Sequence, residues 1–216
     1  MVEEIRPYLQ PTAFIDSDSP AVIQFARAVV QSETTGVGKA VCLFYAVRDG
    51  IYYDPYCVDL NPAKMKASST LELKSGFCVT KSILFAALAR AVGIPSRLGF
   101  ADLRNYQIPA RLFERMGTDI FLHGYAELFI DGRWVKATTA YNLSLCQRFG
   151  IMPVEFDGRV DAVFHEFDLQ GRRHVEYLRG YGTFADVPYE QMMGICREYY
   201  PKWFSEEEPC LSTPSS

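Results

Sequence analysis

Ser75-Gly76-Phe77-Cys78, running on into Val79-Thr80-Lys81-Ser82-Ile83-Leu84-Phe85-Ala86-Ala87-Leu88-Ala89-Arg90-Ala91, reads as a tight turn that opens a helix. Gly76 permits the turn, and Gly93 and Pro95 close the helix. Cys78 therefore falls in a first helical turn. A thiol there feels the positive end of the helix dipole, which favours thiolate. Backbone N–H groups with no helical acceptor lie beside it and can hold a developing oxyanion. Away from such a setting, a lone cysteine is most simply a buried structural residue.

Downstream, His123-Gly124-Tyr125-Ala126-Glu127-Leu128-Phe129 alternates as a strand does. A strand over 120–130, the Asp131-Gly132 turn and a second strand over 133–138 make the clearest hairpin in the chain. A two-residue turn sets Ile130 opposite Arg133, Phe129 opposite Trp134 and Tyr125 opposite Thr138. His123, Tyr125 and Thr138 then share one face of the sheet. A cysteine nucleophile needs a base, and the base needs an orienting partner. His123 is the best base of three histidines. His165 lies in an acidic loop beside Glu166 and Asp168, and His174 follows Arg172 and Arg173, so both read as surface or loop residues. The orienting residue is expected at or just after Thr138, where no carboxylate occurs. Thr138 through its hydroxyl and Asn142 through its amide oxygen are rival candidates, with Asp119 and Asp157 more distant.

Around this core the chain reads as one α+β domain over 1–204, with its centre at about 49–142, followed by a disordered Glu-, Pro- and Ser-rich tail from Ser205. Helices are expected from Ser19-Pro20, over about 39–49, over 109–116, over 143–149 and over 189–199. A strand is expected over 96–103, a strand and turn over 155–158, and Ser68-Ser69-Thr70 is expected to cap a short turn over 71–74. Apolar residues at 49%, charged residues at 22% and a net charge of −4 describe an ordinary globular protein, with no reason to expect nucleic acid as a partner. No apolar run is long enough to cross a membrane, and acids stand near the N-terminus where a signal peptide needs bases. A cytoplasmic location and no membrane partner follow as expectations. The six cysteines show no Cys-x-x-Cys spacing, so no zinc site is expected, and without export all should be free thiols. Asp16 and Asp18 lack the glycine and glutamate of a calcium loop, and no cofactor or metal is expected.

Gly76-Phe77-Cys78 with its helix, Gly93-Ile94-Pro95-Ser96-Arg97, and His123-Gly124-Tyr125-Ala126-Glu127 followed by Asp131-Gly132-Arg133-Trp134-Val135 together resemble the transglutaminase-like superfamily. The resemblance covers roughly Asp49 to Asn142. It implies a papain-like fold, with the cysteine at a helix N-terminus packed against a sheet that bears the histidine. It also implies acyl transfer or hydrolysis at an amide of a peptide or protein, through a thioester on the cysteine. In family register Cys78 and His123 carry over directly. The family's aspartate falls at Thr138, where this chain departs. The chain further resembles a bacterial subgroup with a Trp-Val-Lys-Ala-Thr stretch here, for which the departure is normal. Asn142 is then an attractive partner, because papain-like enzymes use asparagine in that role.

Three readings compete on these residues: an active cysteine acyltransferase or hydrolase, a binding module that kept the fold and lost turnover, and a redox-sensing thiol. Thr138 in the aspartate position favours the second. The third needs a resolving cysteine near Cys78.

Overall fold

The computed structural model describes residues 5–205. After a short 3-10 helix (Arg6–Leu9) come two α-helices, α1 (Pro20–Val29) and α2 (Gly36–Gly50), then the two-residue strand β1 (Tyr52–Tyr53) and helix α3 (Ala67–Leu73). A second two-residue strand, β2 (Ser75–Gly76), pairs in parallel with β1 and delivers the chain to helix α4 (Cys78–Ala91). Then come β3 (Ser96–Asn105), α5 (Ala110–Met116), β4 (Ile120–Ile130), β5 (Arg133–Ala137), α6 (Leu143–Phe149), β6 (Val175–Phe184), α7 (Tyr189–Tyr199) and α8 (Pro201–Ser205). The main sheet is antiparallel throughout, in the order β5-β4-β3-β6. The chain is thus α+β, as expected.

Helix α4 is the axis of the molecule. Every residue from Cys78 to Arg90 is buried, because β4 and β3 cover one side and α1, α2 and α3 cover the other. An apolar surface on all sides is what such a position requires. Two cations on this helix are also buried, and each ends on backbone carbonyls. Lys81 Nζ donates to the carbonyls of Arg48 (3.0 Å) and Ile51 (2.6 Å) at the end of α2. Arg90 donates to those of Ser96 (2.8 Å) and Ala185 (2.6 Å). Both supply donors to buried backbone carbonyls of neighbouring segments.

The hairpin register is the expected one, with Ile130 opposite Arg133, Phe129 opposite Trp134 and Ala126 opposite Ala137. Asp131 and Gly132 both have positive φ (49° and 82°), the conformation that suits an Asp-Gly turn between twisted strands. Glu127 lies opposite Lys136, but its ion pair is with Arg97, at 2.6 Å.

Four expectations need correction. Ser68-Ser69-Thr70 lies inside α3 rather than before it. The cap comes from afar, the Ser68 N–H donating to Asp16 at 3.1 Å. Residues 155–158 form no strand: Phe156 is held by its ring against Phe44 (5.0 Å) and by Tyr45, whose hydroxyl accepts the Phe156 N–H (3.3 Å). β6 was not expected at all. It is an edge strand, mostly exposed, interrupted by Gly180 and Gly182, and paired to β3 with two register shifts, so no clean alternation marks it. Finally, Cys42, Cys78, Cys146 and Cys196 are free thiols, whereas Cys57 is disulfide-bonded. Sulfur pairing depends on which chain segments the fold brings together, which cysteine spacing along the sequence does not reveal. Cys210 and the tail expected to be disordered from Ser205 lie outside the described residues, apart from Ser205 itself, which ends α8. No helix among the described residues is long and apolar enough to cross a membrane.

Candidate active site

Cys78 is the first residue of α4, and Phe77 is its N-cap in extended conformation. The Phe77 N–H donates to the Thr80 hydroxyl at 3.1 Å, which locks the turn. Gly76 has to be glycine here, since a Cβ would come 2.4 Å from Thr80 Oγ1. The strand comes equally close on the other side. A Cβ on Gly124 would lie 3.0 Å from Val79 Cα, so β4 passes directly over the first turn of α4. This close approach brings Cys78 Sγ within 3.8 Å of the Leu122 carbonyl, to which the thiol donates. Leu122 adjoins His123, so the fold carries the cysteine to the strand that bears the expected base.

His123 itself is fully buried. Alternation along β4 turns it away from the side on which Gly124 meets α4. Its ring packs against Phe164 (4.9 Å between centroids) and against Phe121, Tyr125 and Tyr177 (each 6.4 Å). Neither ring nitrogen has a hydrogen-bond partner, and no hydrogen bond joins the ring to Cys78. The Thr138 hydroxyl is also buried and unpartnered, while its N–H donates to the Ala162 carbonyl at 2.9 Å. Asn142 is engaged elsewhere. Its amide oxygen accepts the Tyr53 N–H (2.7 Å), and its amide nitrogen donates to the carbonyls of Ile51 (2.8 Å) and Arg48. The structure therefore ties Asn142 to the end of α2 and to β1, and it makes no hydrogen bond to His123.

Burial dominates the electrostatics. It pushes the Cys78 thiol up to about 11, against the pull of the Gly124, Val79 and Cys78 backbone N–H groups toward thiolate. Burial likewise pushes His123 down to about 3. The helix-terminus effect expected from sequence is present, but desolvation outweighs it. At neutral pH the pair consists of a neutral thiol and a neutral imidazole.

Cys78 opens onto a cavity of about 480 Å³, walled largely by aromatic and aliphatic side chains. Tyr52, Tyr53 and Asp54 form part of the wall. Sequence reasoning missed Tyr141 and His174, which also line it. Tyr141 packs on Tyr53 (5.0 Å), Phe164 (4.5 Å) and His174 (6.1 Å). His174 corrects the surface reading made above: it is only 1% exposed, its Nδ1 is unpartnered, and burial chiefly lowers its pKa. No local pattern marks it, because its burial comes from the ring cluster formed by distant Tyr141 and Phe164. His165 is exposed, as expected. Cys196 shares the cavity with Cys78. Among the described residues no cluster of three or more His, Cys, Asp or Glu is placed to hold a metal ion.

A family profile described as the transglutaminase-like superfamily matches residues 23–139. No curated protein matches the chain. Among solved structures, a cysteine-protease candidate from Cytophaga hutchinsonii superposes with a TM-score of 0.51 at 17% identity, over 84% of this chain and 54% of that one. At that identity the likeness is one of fold, and this chain spans about half of its neighbour's length. A protease candidate from Parabacteroides distasonis is more distant, with a TM-score of 0.38 and 11% identity over 60% of this chain and 29% of the other. The matched profile extends from within α1 to just beyond β5, more than half of the chain, and on that ground this protein belongs to the transglutaminase-like superfamily.

Proposed function

We propose that the protein is a cysteine-dependent enzyme that transfers or hydrolyses acyl groups at amide bonds of peptides or proteins. Cys78 is the nucleophile and His123 the base. The carrying observation is the position of Cys78, the first residue of a buried helix, facing a ligand-sized cavity and lying 3.8 Å from the strand residue next to His123. In the proposed reaction Sγ bonds to the amide carbonyl carbon as its proton passes to His123. The C–N bond then breaks, the amine leaves with that proton, and a thioester remains for water or a second amine to resolve. Backbone N–H groups of the first turn of α4 are placed to stabilise the oxyanion. Each group by itself resists charging in this buried site. The reading requires the two charges to form together as an ion pair, which offsets part of that penalty.

The test is acylation of Cys78 by 4-nitrophenyl acetate, mapped by mass spectrometry. The expected outcome is acetyl-Cys78 in the wild type, none in Cys78→Ala, and a rate at least about a hundredfold lower in His123→Ala. Acylation indifferent to His123 would remove it as the base. No acylation would favour a second reading, a binding module of the same fold that has lost turnover. Two observations support that second reading: threonine stands at the aspartate position, and His123 has no hydrogen-bond partner.

A further inference from the structure

The cavity beside Cys78 has a distinct chemical division. Its walls are largely apolar, with Phe77, Phe121, Tyr141, Met192 and Trp203 among them. The polar side chains it includes are largely engaged already. The Asn105 amide oxygen accepts the Gln107 N–H (2.9 Å), and the Gln107 amide nitrogen donates to Asp168 and to the Arg173 carbonyl (both 2.9 Å). The single carboxylate among the described lining residues, Asp54, accepts the backbone N–H groups of Tyr56 (2.8 Å) and Cys57 (3.2 Å).

The lining also holds two cations, Arg111 and Arg148, and both are exposed. Each guanidinium lies over an aromatic ring at the cavity, Arg111 over Tyr56 (5.6 Å) and Arg148 over Phe149 (5.7 Å). Stacking of this kind holds a guanidinium in place while leaving its N–H donors free for a carboxylate. Neither arginine forms an ion pair with a described residue. On a protein with a net charge of −4, the rim of this cavity is locally cationic.

We infer that this cavity selects an acyl donor with a bulky apolar side chain beside the reacting carbonyl, and with a carboxylate that Arg111 and Arg148 hold at the rim. The volume suits one or two large side chains with their backbone, within the range of small-ligand sites. A glutamine side chain is a poor fit, because its amide would enter apolar walls with few open hydrogen-bond partners. The carboxylate can come from an acidic side chain or from a free C-terminus. The inference rests on the function proposed above only for which carbonyl reacts; the binding preference stands without turnover.

The experiment is calorimetric titration of Cys78→Ala, which removes turnover, with four short peptides. The first is acetyl-Ala-Phe-Glu-Ala amide. The others replace its Phe by Gln, replace its Glu by Gln, or end in a free carboxylate as acetyl-Ala-Phe-Ala. Replacing Phe should weaken binding at least about tenfold. Replacing Glu should weaken it about threefold to tenfold, an effect lost when Arg111→Gln and Arg148→Gln are combined. Tight binding of the free-acid peptide would assign the carboxylate to a C-terminus, and weak binding would assign it to a side chain. Equal affinity for the Phe and Gln peptides, no effect of the two arginines, or no binding of any peptide would overturn the inference. Failure of the nucleophile reading is separate, since it shows as unreacted Cys78 with 4-nitrophenyl acetate whatever the peptides do.

Discussion

Lys81 and Asn142, far apart in sequence, donate to the same two carbonyls, those of Arg48 and Ile51. The shared cap joins the first turn of α4, the end of α2 and the segment after β5 around one buried polar cluster. It holds Tyr53 in place as well, through the Asn142 amide oxygen, and Tyr53 is a wall of the Cys78 cavity.

Asn142→Ala is therefore expected to act on stability. It leaves the Tyr53 N–H without an acceptor and takes one donor from two carbonyls that Lys81 still serves. Loss of about 1–3 kcal/mol is expected, measured by urea denaturation. The pH dependence of Cys78 acylation should keep its midpoint. A shifted midpoint at unchanged stability would instead identify Asn142 as the partner of His123.

Thr138→Asp tests the other rival. The hydroxyl it replaces is buried and unpartnered, as are both nitrogens of His123. A carboxylate on the His123 face should raise the imidazole pKa from its depressed value and speed acylation of Cys78. It should also lower stability, because a buried carboxylate must find a charged partner. Slower acylation at an unchanged midpoint would show that this side chain does not reach the imidazole.

The buried lysine should leave a pH signature. Burial lowers Lys81 to about 7 from an ordinary 10.5. Between these values the unfolded chain binds a proton that the folded chain does not, so stability from this group rises with pH across that window. Its contribution is complete above the unfolded value and is lost as pH falls toward 7. From pH 7 to 9.5 the wild type should gain about 3 kcal/mol relative to Lys81→Met. Comparing the two proteins cancels the thiols and tyrosines, which shift stability the opposite way. Parallel stability curves would mean that Lys81 stays charged in the fold.

Alkylation of Cys78 by iodoacetamide in the unliganded protein should be slow at neutral pH. It should climb through the alkaline range toward about pH 11, where burial has placed the thiol. Mass mapping is needed because Cys196, raised to about 12, shares the cavity. A plateau already reached near pH 8, and lost in His123→Ala, would mean that the thiolate–imidazolium pair exists before substrate binds.

The features legible in the residues alone are those set by near neighbours. The glycine turn before Cys78, the helix that follows, and the Asp131-Gly132 hairpin are each written within a few residues, because helix starts and tight turns depend on local torsions and local donors. The two-residue turn likewise set the register of β5 on β4. Other features needed the folded chain. β6 pairs with a strand about seventy residues earlier and carries no regular pattern of its own. The burial of Lys81 exists only because α2 ends against it. His174 reads as part of a basic loop until Tyr141 and Phe164 close over it, and Cys57 reads as free until the fold supplies its partner. Whether burial or the helix dipole governs Cys78 was also a tertiary matter. The dipole belongs to the helix that the sequence specifies, whereas the stronger desolvation comes from the strand and side chains that the complete fold packs around it.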